Sequence, residues 1–155
     1  MRLRAAMPQD VLSVYAWIRD PDVRRGAFDP KEISVHEHQN WFQNKLLDSE
    51  SLYRIAETEK KELIGQVRVQ KRKELTTAFD ISIVVAPEFR AQGYGLKMLQ
   101  RMELEVASRP CEFHAYVRVD NPASQAIFIR AGYLEIERTS VHDIPAIHLL
   151  RVMSI

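Results

Sequence analysis

The chain has 155 residues, of which 46% are apolar, and its formal net charge is +1 at pH 7. This length allows one substantial hydrophobic core and is too short for two ordinary domains, so we predict a single domain over residues 1–155. The near-zero net charge gives no general electrostatic reason to expect nucleic acid or an anionic membrane as a partner.

Cysteine usage and the N-terminal segment indicate where the protein works. Cys111 is the single cysteine, so no internal disulfide forms, which is typical of the reducing cytoplasm. The N-terminus carries Arg2, Arg4 and Asp10 without a continuous apolar segment, and no run approaches eighteen apolar residues. We therefore expect a cytoplasmic protein that neither is secreted nor spans a membrane.

Hydrophobic periodicity predicts alternating strands and helices along the whole chain. The first half gives a strand at residues 1–5, helices at about 9–19 and 35–47, and antiparallel strands at 52–57 and 63–70. The second half gives a strand at 79–85, a helix after a glycine loop, a strand at 112–117, a helix from Asn121, and strands near 134–138 and 146–152. Ser34 and Glu37 form a capping-box pattern before the second helix. Residues 71–73, a cationic run, are predicted to be a solvated hairpin tip.

The segment from residue 79 to residue 99 carries the most information. An apolar run suited to a strand covered on both faces precedes Arg90-Ala91-Gln92-Gly93-Tyr94-Gly95, and a helical pattern follows. Backbone N–H groups of such a loop converge on a phosphate at the positive end of the helix dipole. A Walker loop is excluded because Leu96-Lys97-Met98 follows the second glycine, and a dinucleotide fingerprint needs glycine or alanine where Met98 stands.

The remaining pattern, Arg/Gln-x-x-Gly-x-Gly between a strand and a helix, resembles the acetyl-coenzyme-A pyrophosphate loop of the GCN5-related N-acetyltransferase (GNAT) superfamily. A second segment carries the same resemblance. Asn121 and Pro122 form a helix start, and Gly132 followed by Tyr133 forms its end, at the spacing of the family's second motif. The alternative reading of the first motif is a tight strand-to-helix turn, in which the glycines serve only the backbone.

The resemblance implies an α/β (α+β) GNAT fold: a mixed, mostly antiparallel twisted sheet of about seven strands flanked by four helices. It implies acetyl-CoA as the cofactor and is compatible with a homodimer. The residues that it places at the cofactor are Val84, Val85, Arg90, Ala91, Gln92, Gly93, Tyr94, Gly95, Asn121, Ser124 and Phe128.

The chemistry of acetyl transfer singles out further residues. An aliphatic amine must lose a proton before attack, which costs about 4.6 kcal/mol at pH 7, so a base is useful. Asp80 stands where many family members carry a glutamate, and Ser82 lies on the same strand face. A solvent-facing Asp80 and a core Ser82 are the alternatives. Phe128 stands where many family members have a tyrosine that acts as the general acid. This leaves Tyr133, Ser124 or water to protonate the departing thiolate.

Two segments carry a narrower resemblance: Trp17-Ile18-Arg19-Asp20-Pro21-Asp22-Val23-Arg24, and Ile33-Ser34-x-x-Glu37-His38-x-x-Trp41-Phe42. They resemble the nucleotide-linked amino-sugar N-acetyltransferases of the pseudaminic acid type. The resemblance implies that Arg24 or Arg25 meets a phosphate, Trp41 or Phe42 stacks on a base or sugar, and His38 contacts hydroxyls; solvated arginines and core positions for Trp41 and Phe42 are the alternatives. The acceptor is then a small-molecule amine. Two other functions remain open: an N-terminal acetyltransferase of the ribosomal-protein type, and a non-catalytic acetyl-CoA-binding module. His36 and His38 face different sides of their helix, so no metal is predicted.

Overall fold

The computed structural model describes residues 1–72, 77–106 and 109–154; Lys73 of the predicted cationic tip lies outside them. Seven strands occur in these residues: β1 (Arg2–Ala5), β2 (Ser51–Glu57), β3 (Leu63–Lys71), β4 (Ala78–Val85), β5 (Cys111–Arg118), β6 (Leu134–Val141) and β7 (Ile144–Met153). The α-helices described are α1 (Val11–Arg19), α2 (Pro21–Arg25), α3 (Val35–Leu47), α4 (Tyr94–Glu105) and α5 (Pro122–Arg130). The predicted seven-stranded GNAT architecture is confirmed.

The helix count differs from the expected four because of α2. Asp20 caps this short helix by accepting hydrogen bonds from the backbone N–H groups of Asp22 and Val23, and Pro21 fills its first position. Five residues are too few for a hydrophobic period, so the pattern search missed the helix although its cap and proline are ordinary start signals. None of the helices in the described ranges is long and apolar enough to cross a membrane.

The strands form one sheet in the order β1-β2-β3-β4-β5-β7-β6. Every neighbouring pair is antiparallel except β4 and β5, which are parallel and joined through α4. Their pairing covers only three positions, from Ala78 opposite Glu112 to Asp80 opposite His114. Beyond Asp80 the two strands diverge, and a gap opens between residues 81–85 and the rest of β5.

Alternation along the strands gives the sheet two different faces. The face under α4 and α5 is apolar and includes Ile81, Phe113 and Leu149, which pack with Met98 and Leu99 of α4. The opposite face packs a smaller cluster against α1 and α3, and its members are Val14, Trp17, Phe42, Tyr53, Ile55 and Ala86. The main core therefore lies behind α4 and α5.

Polar side chains replace the apolar ones over the middle of the second face. Arg68 and Gln70 of β3 lie opposite Ser82 and Asp80 of β4, and His114 of β5 lies opposite Asp80. The prediction that β4 is covered on both faces is therefore wrong. Ile81 is buried, but Ser82 is exposed. This side of β4 faces a cleft instead of a helix.

A buried ion network attaches the first strand to the chain that follows it. The Arg4 guanidinium donates to both carboxylate oxygens of Asp10 at 2.8 Å and to Glu57 at 3.0 Å, and Asp10 also accepts from the Met7 backbone N–H. Burial raises the pKa of Asp10, but these hydrogen bonds lower it more, so the net pKa lies below the ordinary value. The hydrogen bonds from Arg4 and Arg2 likewise lower the pKa of Glu57.

Asp10→Ala is expected to lower the free energy of unfolding by about 3 kcal/mol, because it leaves the half-buried Arg4 without its bidentate partner. Urea denaturation at pH 7 measures this. The lowered pKa values mean that the contribution is present above about pH 4 and is lost as pH falls through the folded-state values. Glu135→Ala, which removes an exposed ion pair with Arg138, is the control and should change stability by less than about 0.5 kcal/mol. Equal effects of the two variants would contradict the assignment.

Candidate active site

The glycine loop has the backbone of an anion site at the start of α4. Gly93 is the N-cap of α4 with a φ of 83°, Ala91 has a φ of 59°, and no side chain caps the helix. A Cβ atom built on Gly93 would meet nothing within 4 Å, so the space beside this backbone is open. The free N–H groups of the first helical turn and this open approach fit a pyrophosphate.

The missing side chain of Gly95 serves packing. Gly95 is buried, and a Cβ atom there would lie 3.1 Å from Ile127 of α5 and 3.5 Å from Ile83 of β4. That its backbone N–H contacts the cofactor stays a prediction. Its missing side chain lets α4 approach the sheet and α5 closely.

The side chains of the loop hold the loop in place. Arg90 donates to Asp20 at 2.8 Å, to Asp22 at 3.0 Å and to the Val85 carbonyl at 3.3 Å. The Arg90 hydrogen bond also lowers the pKa of Asp20. Gln92 donates to the Glu88 carbonyl. The Arg90 guanidinium thus ties the loop to the start of α2, and the predicted contact of Arg90 with the cofactor stays a prediction.

Asn121 is the N-cap of α5, as predicted. Its side-chain oxygen accepts from the Ser124 backbone N–H at 3.3 Å. A Cβ atom on Gly26 would lie only 2.8 Å from the Asn121 side-chain nitrogen, so the start of α5 and the end of α2 are in close contact. Gly132 follows the C-terminus of α5 with a φ of 97°, which confirms the predicted helix end.

Phe128 and Tyr133 lie inside the main core. Phe128 is 3% exposed and Tyr133 is 1% exposed, and their rings pack edge to face with centroids 5.1 Å apart. Burial, together with the neighbouring Glu103 carboxyl, raises the pKa of Tyr133. The expectations that Phe128 contacts the cofactor and that Tyr133 donates a proton are therefore corrected, because neither side chain reaches a surface that a substrate can touch.

The gap between β4 and β5 presents backbone N–H groups. The Ala86 N–H donates to the Ile64 carbonyl of β3 at 2.7 Å, so, by strand alternation, the Val85 N–H points away from β3 into the gap. The Val84 carbonyl, in contrast, points toward β3. A Cβ atom built on Gly65 of β3 would lie against the Val84 carbonyl oxygen. Of the two predicted positions, Val85 is the one whose N–H faces the gap.

A cleft of about 540 Å³ lies on the polar face of the sheet. Phe28, which follows α2, and Val141, at the end of β6, form its walls. The residues that line it are Phe28, Arg68, Gln70, Asp80, Ile81, Ser82, His114, Tyr116 and Val141. The structure thus brings the predicted Asp80 and Ser82 together at the point where β4 leaves β5.

Asp80 is oriented by Arg72, which the sequence interpretation had placed in a solvated hairpin tip. Arg72 donates to the Asp80 carboxylate at 2.9 Å, and the same nitrogen lies 3.4 Å from the Tyr116 hydroxyl. The side chain of Asp80 is about half exposed. The carboxylate is therefore fixed in direction while still open to the cleft.

A histidine pair extends from the cleft across the sheet. His114 Nδ1 lies 2.8 Å from His148 Nε2, and His114 Nε2 lies 3.0 Å from the Glu112 carboxylate. Because the carboxylate accepts from Nε2, Nδ1 of His114 accepts from His148, which leaves His148 Nδ1 3.9 Å from Glu137. Burial and the neighbouring His114 lower the pKa of His148. The signal for this pair in the sequence is a polar residue at every second position of a predicted strand.

The residues expected to bind the acceptor lie in several environments. Arg24 donates to the carbonyls of Asp29 and Lys31, and Arg25 pairs with Asp22, so neither guanidinium is placed in the cleft. Their predicted contact with a phosphate stays a prediction. Trp41 is 38% exposed, and its ring stacks on Arg68. Among the predicted acceptor residues, Trp41 is the one that reaches a cleft-lining side chain.

His38 is a core residue. It is 1% exposed, its ring packs among Tyr15, Trp41 and Phe42, and its Nε2 atom has no hydrogen-bond partner. Burial lowers its pKa below the ordinary value of 6.5. Its predicted contact with substrate hydroxyls is therefore corrected, because α1 and α3 enclose the imidazole.

His38→Leu is expected to flatten the pH dependence of stability. As pH falls through about 6.5, the unfolded chain takes up a proton that the folded His38 resists, so stability is lost on the acid side. If His38 stays neutral when folded, it accounts for about 1.4 kcal/mol at pH 5.5. Urea denaturation at pH 7.5 and 5.5 measures the difference. Val35→Ala, an exposed change on the same helix, should keep the wild-type dependence, and a wild-type slope in His38→Leu would refute this role.

Comparison with known proteins agrees with this geometry. The family model described as the acetyltransferase (GNAT) domain matches residues 1–134. Spermidine N-acetyltransferase from Vibrio cholerae, solved with CoA and spermine, superposes with a TM-score of 0.85 at 16% identity, covering 97% of this chain and 94% of that one. A phosphinothricin acetyltransferase from Sinorhizobium meliloti, solved with acetyl-CoA, superposes with a TM-score of 0.82 at 19% identity. The match covers 99% of this chain and 88% of that one.

These structural neighbours share the fold of the chain and are named for different acceptors, spermidine and phosphinothricin. No curated protein sequence matches it. The family model covers well over half of the chain, from β1 to the first residue of β6, and includes both the glycine loop and the Asn121 helix. The chain therefore belongs to the GNAT acetyltransferase family.

Proposed function

We propose that this protein transfers the acetyl group of acetyl-CoA directly to the primary amine of a small molecule. The observation that carries the proposal is the gap between β4 and β5. It lies between an uncapped helix start suited to a pyrophosphate and a cleft that contains a fixed carboxylate. A thioester that enters through the gap would meet an amine held in the cleft.

The cofactor-binding residues follow from the loop geometry. The backbone of residues 91–95 would hold the pyrophosphate, with Gly93 giving open access and Arg90 holding the loop to α2. Bound acetyl-CoA supplies an acyl group already activated for transfer. The Val85 N–H faces the gap and would donate to the thioester oxygen as that oxygen becomes negative.

Asp80 is the proposed base, and Ser82 is the proposed neighbour that relays a proton or binds the acceptor. The carboxylate accepts the proton of the ammonium group, directly or through a water, so that the amine nitrogen attacks in its neutral form. Arg72 keeps the carboxylate directed at the cleft. These roles require the amine to lie between Asp80 and the gap.

The departing thiolate has no tyrosine donor in the motif position. Phe128 has no ionisable group that could donate a proton, and Tyr133 is enclosed in the core. An ordinary thiol has a pKa of about 8.5, so a thiolate of this kind leaves at neutral pH without strong assistance. We infer that water, or Ser124 at the start of α5, protonates it.

The acceptor is proposed at the level of a small primary amine. The neighbours are a spermidine and a phosphinothricin acetyltransferase, which makes polyamines and amino-acid analogues two classes to test. A nucleotide-linked amino sugar is the third class. It is supported by Trp41, which stacks on the cleft-lining Arg68, but less by Arg24, Arg25 and His38, whose side chains pair elsewhere or are buried.

An acceptor screen tests the proposal. Purified protein is mixed with acetyl-CoA and one amine at a time, drawn from polyamines, amino acids, free and nucleotide-linked amino sugars and peptides, and free thiol is recorded. At least one small amine should accelerate thiol release and appear as its N-acetyl product. Acceleration by peptides alone would favour a protein acetyltransferase. If acetyl-CoA binds and no amine accelerates release, the domain is a non-catalytic binding module.

A further inference from the structure

Arg68 is an unusual cation in this sheet. It lies on the central strand β3, directly opposite Ser82 of β4, and its guanidinium lines the cleft. The guanidinium carbon lies 5.2 Å from the centre of the Trp41 ring, so the side chain is held between α3 and the sheet. Burial lowers the pKa of Arg68.

The Arg68 guanidinium lacks a partner of opposite charge. Within residues 1–72, 77–106 and 109–154, no carboxylate oxygen lies within 4.0 Å of its nitrogens, and no hydrogen bond to them occurs. The acidic groups that act on it through space are Tyr53, Asp80 and Asp48, in that order of effect. Asp48 lies beside Gln70 and Lys45, and Asp80 is paired with Arg72.

The charges of the cleft therefore favour one kind of ligand. Its lining contains one acidic residue, which Arg72 already pairs, and one cation, which no described residue pairs. Asp80, the one carboxylate among the lining residues, would be taken by the reacting amine, so the further ammonium groups of a polycation would meet Arg68 without an opposing charge. An anion in the cleft would accept hydrogen bonds from the Arg68 guanidinium, whose N–H groups make no hydrogen bond within the described residues.

We propose that the amine acceptor also carries an anionic group, a carboxylate or a phosphoryl-type oxyanion, which Arg68 binds while the amine lies at Asp80. This inference rests on the acetyl transfer proposed above. Trp41 stacks on one face of the guanidinium. The edge of the guanidinium stays open to donate two parallel hydrogen bonds to two oxygens of one anion. Arg68 is thus a specificity-determining residue, and it disfavours polyamines.

The register sets the size of the acceptor. Asp80 lies opposite Gln70, two residues along β3 from Arg68, so Arg68 and Asp80 are diagonal neighbours on one face, about 7 to 8 Å apart at the backbone. An amine and an anion separated by a few bonds span this distance. Amino acids and aminophosphonates meet this requirement directly, whereas a nucleotide-linked amino sugar meets it through its diphosphate.

The test uses acceptors in matched pairs that differ in the anion. The pairs are 4-aminobutyrate with n-butylamine, 2-aminoethylphosphonate with ethylamine, L-glutamate with 4-aminobutyrate, and a nucleotide-linked amino sugar with the free amino sugar; spermidine is the polycation. In at least one pair the more anionic member should have a kcat/KM at least 10-fold higher. The pair with the largest ratio identifies the source of the anion.

Arg68→Gln should lower kcat/KM for that anionic acceptor about 10- to 100-fold, mainly by raising KM. For the less anionic member of the pair, kcat/KM should change less than about 3-fold. Arg68→Lys keeps the charge without the fork and should lie between. Arg101→Gln, an exposed change on α4 behind the opposite sheet face, is the control and should match the wild type. Thermal unfolding checks that each variant is folded, and calorimetric titration of the anionic amine in the presence of CoA measures binding without turnover.

The outcomes separate this inference from the proposed function. Transfer that favours neutral amines or spermidine, or an Arg68→Gln loss equal for both members of the pair, overturns the anion subsite and leaves acetyl transfer intact. If no amine is acetylated, the proposed function fails. Binding of an anionic amine that Arg68→Gln weakens at least 10-fold would then still support the subsite, and equal binding by both proteins would overturn it.

Discussion

Gly93→Val is expected to reduce acetyl-CoA affinity more than 100-fold while the protein remains folded. The new side chain would fill the open space beside the start of α4, where the phosphate oxygens need to reach backbone N–H groups. Its positive φ costs a β-branched residue about 1 to 2 kcal/mol, so stability falls modestly. Calorimetric titration with acetyl-CoA and urea denaturation measure the two effects.

Gly95→Val is the matched comparison. Gly95 lies two residues after Gly93 in the same loop, but side chains of α5 and β4 surround it, whereas the space beside Gly93 is open. The added atoms would press against Ile127 and Ile83, so the main loss is stability, through overpacking of α4 against α5 and β4. Unchanged acetyl-CoA affinity in a folded Gly93→Val protein would refute the loop assignment. A larger stability loss at Gly93 than at Gly95 would contradict the separate roles given to the two glycines.

Asp80→Asn is expected to lower kcat about 100- to 1,000-fold with little change in acetyl-CoA affinity. The amide keeps the shape of the carboxylate but cannot accept the proton of the ammonium group, and general bases contribute about this much. Activity of the variant should recover as pH rises toward the amine pKa of about 10.4, because the free amine then needs no base. Steady-state kinetics between pH 7 and pH 10 measure both effects.

Asp143→Asn provides the control for this substitution. Asp143 is exposed in the turn between β6 and β7, with a φ of 63° that asparagine also adopts readily. Its kinetics should equal those of the wild type. An Asp80→Asn enzyme with wild-type kcat and pH profile would remove Asp80 from the mechanism and direct attention to the His114–His148 pair.

Local signals made most of the fold predictable. Strands β2, β3, β4 and β5 were located to within about a residue, because their apolar alternation is continuous and turn residues bound them. The N-caps Ser34 and Asn121 were found because a cap is local: its side chain accepts from a backbone N–H three residues later, and Glu37 and Pro122 mark the two helix starts. The glycine loop was placed between strand and helix for the same reason: its geometry is local.

The functional site was less predictable because its residues meet through strand pairing. Arg68, Arg72, His114 and His148 come from β3, the segment after it, β5 and β7, and they converge only through the sheet register. The errors have the same origin. His38 and Tyr133 were taken as chemical groups from their residue types, whereas the packing of α3 and of α5 buries both.

A stoichiometric transfer assay tests the central claim most directly. Wild-type protein, acetyl-CoA and the best acceptor of the screen are incubated together, and free CoA thiol and N-acetylated amine are quantified in the same sample by thiol titration and mass spectrometry. We expect one N-acetyl product for each CoA released. In Gly93→Val, both the release of CoA and the formation of the N-acetylated amine should be lost. Thiol release without N-acetyl product, or undiminished transfer by Gly93→Val, would contradict the central claim.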